Sequence, residues 1–397
     1  MEVLELYGQA AKTALGFFWK SGWAFVLGYA VSAMLQAFVP KGKLTKSMGA
    51  ADLKSVSLST LFGAASSSCS FAALATARSL ILKGAHFAAG VAFMFASTNL
   101  VIELGILILI FLGWQFLAAE IVGGLILIAI STLLIKATYP REWLQAARGR
   151  LEEASEDDQD FEWRKRVKSR RGWRLVGHHF VMEWGMVWEE ILIGFTVAGF
   201  VAVLVPAQVW SAIFLQQAPD WLPHWIVVVQ NAAVAPLVAG LTFIGSMGNI
   251  PLATVLNENG VLFAGIMGFI YSDLMVPPLV RVNAKYYGWQ VALYIAAIMY
   301  VSAVITALIL HTLFAWMAIT PESARRSGEL AQFAIDYTFW LNLLFLLVAG
   351  VLFALHRQHQ AQQATSEEEA EVMGLKRWLA IIVVALLAGG LAAYFLT

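Results

Sequence analysis

Gly245-Ser246-Met247-Gly248-Asn249-Ile250-Pro251 interrupts an otherwise apolar stretch over 225–259, and Ser66-Ser67-Ser68-Cys69-Ser70 interrupts a second one over 61–83. Inside hydrocarbon an unpaired backbone group costs several kcal/mol, so a broken segment persists only where protein or a water-filled cavity satisfies it. Both stretches therefore read as discontinuous helices, and their tips are the first choice for a substrate site. The surrounding chain supplies the membrane setting. Of 397 residues, 60% are hydrophobic and 13% charged, with a mean hydropathy of +0.72, more apolar than a soluble surface can hide. A spanning helix needs about 20 apolar residues. Eight runs qualify, at about 18–39, 86–112, 114–137, 180–206, 261–282, 288–315, 337–355 and 378–396. The expected fold is an all-α integral membrane protein with about eight transmembrane helices plus two re-entrant broken hairpins.

Composition also excludes whole classes of function. Lys+Arg 26 balances Asp+Glu 26, leaving no basic surface for nucleic acid. The single cysteine, Cys69, rules out an intrachain disulfide and a multi-thiolate zinc or iron-sulfur centre, and the seven histidines form no HExxH. No metal or cofactor is expected. Phe17, Phe18 and Trp19 run directly into a full-length apolar segment, so no removable signal peptide is predicted.

Basic residues beside the spans set orientation. Lys41, Lys43, Lys46 and Lys54, both ends of the charged 141–174 segment, Arg281 and Lys285, and Arg357, Lys376 and Arg377 all point to the cytoplasmic side. The loop over 207–223 and the Gly113-Trp114 turn carry no Lys or Arg and belong outside. Between two cytoplasmic loops the chain crosses an even number of times, so the broken 61–83 stretch must enter and return; the same count makes 225–259 return from outside. Both termini then lie outside, with Lys12, Lys20, Arg325 and Arg326 as exceptions to the rule.

The two halves resemble each other. Gly28, Val31, Val39 and Pro40 match Gly194, Val197, Val205 and Pro206 at an offset of 166; Ser68-Cys69-Ser70 aligns with Ser246-Met247-Gly248 at 178; Gly84 meets Gly260 after a gap of two; Ser97 meets Ser272 at 175. Chance similarity between segments rich in small residues is the competing explanation. The charge pattern gives the copies opposite orientations, the arrangement by which secondary transporters build a midplane site. The expected organisation is repeat 1 over 17–140, a charged cytoplasmic linker over 141–177, an inverted repeat 2 over 178–315, and two C-terminal transmembrane helices over 316–397.

Within the hairpins, Ser68 and Ser70 offer hydroxyls, Asn249 an amide, and Met247 and Gly248 a tip where backbone approaches a ligand; Pro251 frees a carbonyl from helical bonding. Close packing of small residues is the alternative for the serines. Cys69 is either a small apolar filler or a soft sulfur ligand for a thiophilic centre. Ionisable groups inside spans are expensive and default to function. Asn99 and Glu103, one helical turn apart, should share a face, and Asp273, ahead of Pro277-Pro278, lies mid-span. Asp273 and Glu103 are the candidate proton carriers, with Asn99 beside the substrate. Glu120, Glu189 and Glu190 lie nearer span ends, and His178 and His179 abut the linker.

Several of these motifs carry a family resemblance. Ser68-Cys69 followed by Leu74-Ala75, the fuller Ser246-Met247-Gly248-Asn249-Ile250-Pro251-Leu252-Ala253, Tyr271-Ser272-Asp273-Leu274-Met275-Val276-Pro277-Pro278, and Lys285-Tyr286-Tyr287-Gly288-Trp289 resemble the ArsP/YraQ-type predicted permeases over about 17–315. The resemblance implies about eight spans, a hydrophilic central loop and, by the characterised branch, export of trivalent organoarsenicals. It makes Cys69 the arsenic-sensing thiol and Pro251, Asp273 and Pro277 motif positions. Ala73 and Ser70 stand where the family often has Pro and Gly. The resulting expectation is an inner-membrane permease, not an enzyme, that moves a small thiophilic substrate by alternating access with the proton as coupling ion. Its partners are that substrate, membrane lipid and, in a homo-oligomer, copies of itself. An intramembrane enzyme would have only Cys69 and His86 to work with, and a membrane anchor would act through the linker.

Overall fold

The computed structural model describes residues 2–38, 48–49, 52–66, 70–82, 84–138, 167–242, 244–321, 333, 335–361 and 375–396. Ser68, Cys69, Lys41, Lys43, Lys46, Arg325, Arg326 and most of the linker lie outside these residues. Among the described residues there is no strand. The first half runs α1 (Glu2–Phe38), α2 (Leu53–Ser66), α3 (Ser70–Leu82), α4 (Phe87–Asn99), α5 (Ile102–Phe111) and α6 (Trp114–Thr138). The second runs α7 (Arg170–Leu204), a short α8 (Ala207–Ile213), α9 (His224–Thr242), α10 (Ser246–Glu258), α11 (Phe263–Ile270), a 3-10 turn (Asp273–Met275), α12 (Pro277–Tyr287) and α13 (Trp289–Trp316). Two further helices follow, α14 (Tyr337–Gln360) and α15 (Leu375–Leu396).

Seven helices are long and apolar enough to cross a membrane, namely α1, α6, α7, α9, α13, α14 and α15, and the α4–α5 pair, bent by 42°, makes an eighth if it is one span. The chain is a multi-pass membrane protein. The count reaches the expected eight only with the bent pair, and two members differ. The predicted span over 261–282 is not one helix: it stops at Ile270, turns through Asp273–Met275 and restarts at Pro277. Pro277 has no N–H to continue a helix, and Val276 before it is extended (φ −61°, ψ 138°), as a residue preceding proline prefers. Conversely, the first arm of the 225–259 stretch, α9, is 19 residues long and reaches span length by itself. In the other broken stretch α2 has 14 residues and α3 has 13. Each is about 20 Å long, short of the roughly 30 Å hydrocarbon core.

Three landmarks recur between the halves at one spacing. Ser70 and Ser246 open helices of 13 residues each, Gly84 and Gly260 follow their ends, and Phe87 and Phe263 open the next helices, each pair 176 positions apart. Ser68, aligned with Ser246 from the sequence, lies outside the described residues. Gly84 (φ +98°) and Gly260 (φ +78°) terminate their helices in the same way. Ala85 N donates to Leu80 O at 2.9 Å, and Val261 N to Leu256 O at 3.1 Å. Only glycine holds such a φ without a clash at Cβ.

α1 and α7 pack along each other at the centre. Phe195 meets Phe18 and Phe25 with ring centroids 5.0 and 5.5 Å apart, and α7 approaches so closely at Gly199 that a Cβ there would sit 2.5 Å from the Ala14 nitrogen. Without water to drive association, such small-residue contacts hold membrane helices together. α14 and α15 cover the outer side of this pair. Two lysines of α1 find partners on them: Lys12 Nζ donates to Tyr394 Oη at 2.6 Å, and Lys20 Nζ meets Asp336 Oδ2 at 3.0 Å.

Candidate functional site

α3 and α10 both begin at a serine, and the two helix starts meet. Ser70 Oγ and Ser246 Oγ lie 3.2 Å apart, and both hydroxyls face Asp273 Oδ2, Ser246 at 3.0 Å and Ser70 at 3.5 Å. Asp273 is fully buried, its Oδ1 meets no donor at hydrogen-bond geometry, and no cation among the described residues forms an ion pair with it. The carboxyl is thus held by neutral hydroxyls in a low-dielectric setting, where gain or loss of a proton has a large energetic effect. Above it lies a crevice of about 20 Å³ bordered by Ser70, Ser246, Met247 and Gly248 from the two helix starts, with Tyr29, Thr98 and Glu190 opposite. That volume is room for about one water.

Local sequence explains the tip. Gly245 caps α10 in an extended conformation (φ −77°, ψ 176°) without a side-chain cap. Pro251 lies inside α10 and removes the N–H that Met247's carbonyl would otherwise accept. At Gly248 the helix presses on α7, where a Cβ on Gly194 would stand 2.7 Å from the Gly248 Cα. Asn249 is fully buried, and neither of its amide atoms has a partner among the described residues.

Of the residues singled out from the sequence, Ser70, Met247, Gly248 and Asp273 converge here, with Asn249 and Pro251 in the helix behind. Ser68 and Cys69 lie outside the described residues. Asn99 and Glu103 do not share a helical face. The chain leaves the helix at Leu100 (ψ 38°) and is extended at Val101 (φ −105°, ψ 149°), so Asn99 ends α4 while Glu103 sits in the first turn of α5. Glu103 is buried against Gly28 of α1, where an added Cβ would overlap its side chain. Neither Asn99 nor Glu103 borders the crevice.

Other polar groups escaped the sequence reading. Glu190, set aside as close to a span end, borders the crevice, and a Cβ on Gly245 would come 2.8 Å from its Oε2. Glu183 receives the Ser32 hydroxyl at 2.9 Å and the Gln36 amide, and Ser32 also reaches the Ser66 carbonyl at 3.0 Å, tying α1, α7 and the end of α2. Tyr271 Oη donates to the Ala119 carbonyl of α6 at 2.9 Å, which anchors the turn carrying Asp273. Arg78 of α3 lies 4.8 Å from the Tyr286 ring centroid of α12. A two-helix spacing such as Ser32 to Glu183 leaves no periodic signal in a sequence.

The multi-pass helical architecture agrees with what the sequence comparisons give, a membrane permease. The chain belongs to the ArsP_1 family, described as "Predicted permease", whose model matches residues 6–312. It is similar to a protein of Mycobacterium tuberculosis (strain ATCC 25618 / H37Rv) named "Putative permease Rv2963", 37% identical over 308 residues, which are 74% of each chain. No solved structure matches it. The family match takes in α1 to α13 except the first residues of α1 and the last of α13, and leaves out α14 and α15.

Proposed function

We propose that this permease is a secondary-active exporter of a small thiophilic molecule, with trivalent organoarsenicals as the substrate class. The observation that carries the reading is the meeting of Ser70 and Ser246 over Asp273. Two helix starts from matching positions in the two halves close one crevice, so a relative displacement of the halves opens it to one side or the other. In this reading the halves are inverted repeats, the α2–α3 and α9–α10 arms are re-entrant, and the linker faces the cytoplasm of an inner-membrane protein. Ser68, Cys69 and Ser70 from the first half and Met247, Gly248 and Asn249 from the second contact the substrate. Asp273 carries the coupling proton, because a buried carboxyl with hydroxyl partners and no counter-cation among the described residues can take up or give up a proton without breaking an ion pair. Glu103 is a second protonatable group on the α1 side, and Asn99 acts from the far side of the Val101 break.

Uptake of phenylarsenite into inside-out vesicles energised by a proton gradient tests this, with inorganic arsenite as control. Accumulation that an uncoupler collapses, and that Cys69→Ser and Asp273→Asn each abolish, supports proton-coupled export through this site. Folded wild-type protein that accumulates neither compound overturns the arsenical assignment.

A further inference from the structure

A groove of about 510 Å³ runs between α2 and α6, which both pack on α4. Leu53, Val56 and Leu61 border it on the α2 side, and Leu125, Ile128 and Leu133 on the α6 side. Leu61 is 69% and Leu133 64% exposed, so the groove opens to lipid. Two charged side chains also border it, both exposed: Asp52, just before α2, and Lys136, in the last turn of α6. Contacts of neighbouring residues place them at one level. His86 N, just ahead of α4, donates to Met48 O at 2.8 Å, on the way into Asp52. The ring of Tyr294 in α13 lies 6.4 Å from that of Phe87 at the start of α4, and its hydroxyl lies 2.8 Å from Thr138 Oγ1 at the end of α6. The groove therefore carries its charges at one end, while Leu61 and Leu125 lie roughly 15 Å further along their helices.

Among the described residues no ion pair joins Asp52 to Lys136. Asp52 Oδ1 accepts the Ser55 N–H at 2.8 Å, and the bonds from the Ser55 side chain and backbone hold this carboxyl below its ordinary range, so it is an anion. A carboxylate accepts at several lone-pair positions, which leaves room for a further N–H donor. An apolar slot with a carboxylate and an ammonium apart at its headgroup end is complementary to a chain that carries both a phosphate and an ammonium. An anionic headgroup without a cation would offer the carboxylate nothing, and a trimethylated choline has no N–H to donate. Ethanolamine supplies both partners. We infer that the α2–α6 groove is a lateral site for one phosphatidylethanolamine molecule, with its phosphate on Lys136, its ammonium on Asp52 and an acyl chain running toward Leu61 and Leu125. None of these residues borders the crevice above Asp273.

Photo-crosslinking of the full chain in phosphatidylcholine nanodiscs tests the site. Trace phosphatidylethanolamine, phosphatidylcholine and phosphatidylglycerol, each with the same diazirine-bearing acyl chain, are compared, and labelled peptides are mapped by mass spectrometry. The phosphatidylethanolamine probe should label 53–61 and 125–133 about tenfold more than either other probe, as one charge-assisted hydrogen bond implies. Asp52→Asn keeps a good helix cap while removing the charge, and should bring phosphatidylethanolamine down to the phosphatidylcholine level. Lys136→Gln should lower phosphatidylethanolamine labelling several-fold. Equal labelling of the wild type by all three probes means an unselective lipid annulus and overturns the proposal. Stronger labelling by phosphatidylglycerol overturns it too, as does a preference that survives Asp52→Asn in folded protein. If Asp52→Asn fails to fold, unchanged phosphatidylethanolamine labelling in Lys136→Gln overturns it instead.

Discussion

Ser246 donates its hydroxyl to Asp273 Oδ2 at 3.0 Å, while Ser70, from the corresponding position of the other half, stands 3.5 Å from the same oxygen. One carboxylate oxygen thus joins both halves, and its two bonds are unequal. Ser246→Ala should therefore cost more than Ser70→Ala, about 1–3 kcal/mol against a smaller loss. Thermal unfolding of the purified variants in detergent measures the difference. The reverse order would place the main support of Asp273 on α3.

Gly84 and Gly260 occupy equivalent helix ends at φ +98° and +78°. Alanine at either position should destabilise by about 1–2 kcal/mol through backbone strain. At Gly84 nothing lies within 4 Å of an added Cβ, so the whole effect there is conformational. Asparagine, which tolerates positive φ better than alanine, should recover part of the loss at Gly84. A Gly84→Ala melting curve equal to wild type would refute the argument.

Close approach of α7 and α10 depends on Gly194 and Gly248, since a Cβ on Gly194 would stand 2.7 Å from the Gly248 Cα. Gly194→Ala should cost about 1–3 kcal/mol by overpacking and should widen the crevice enough to impair vesicle transport. A variant with a lowered melting temperature and unchanged transport would separate this contact from the site.

Asp336 caps α14 by accepting the Thr338 N–H at 2.8 Å and pairs with Lys20 at 3.0 Å. Partial burial pushes its pKa up, but the bonds from Lys20 and Thr338 outweigh this and hold it below the ordinary 3.8. A carboxylate depressed in the folded state adds stability that is complete above its unfolded value of about 3.9 and is lost as pH falls through the folded value. Asp336→Ala removes cap and pair and should cost about 0.5–2 kcal/mol at pH 7; Asp336→Asn, still a good cap, should cost less. The melting-temperature gap between wild type and Asp336→Asn should be constant from about pH 5 to 8 and close below about pH 4. A gap that persists at pH 3 would assign the effect to packing.

Much of the membrane architecture was legible because hydrocarbon demands length. The runs that became α6, α13, α14 and α15 are unbroken, and mean hydropathy locates such runs well. The misread span at 261–282 had the same mean hydropathy signature, yet Asp273 followed by Pro277-Pro278 marks a restart, because proline is preferred at the first turn of a helix and refused in its interior. The break at Leu100-Val101 carried no such mark, having neither glycine nor proline, so Asn99 and Glu103 were assigned to one face. For the site, the two serine-bearing tips and Asp273 were legible as polar groups in apolar surroundings. Glu190 was not, because a residue's rank along its own helix says nothing about what the neighbouring helices bring against it. Glu190 gains its place from the approach of Gly245.

The crevice above Asp273 holds about 20 Å³. A space of that size accepts about one water and no organic solute, so in this shape nothing larger than water rests between the two serine-headed helices.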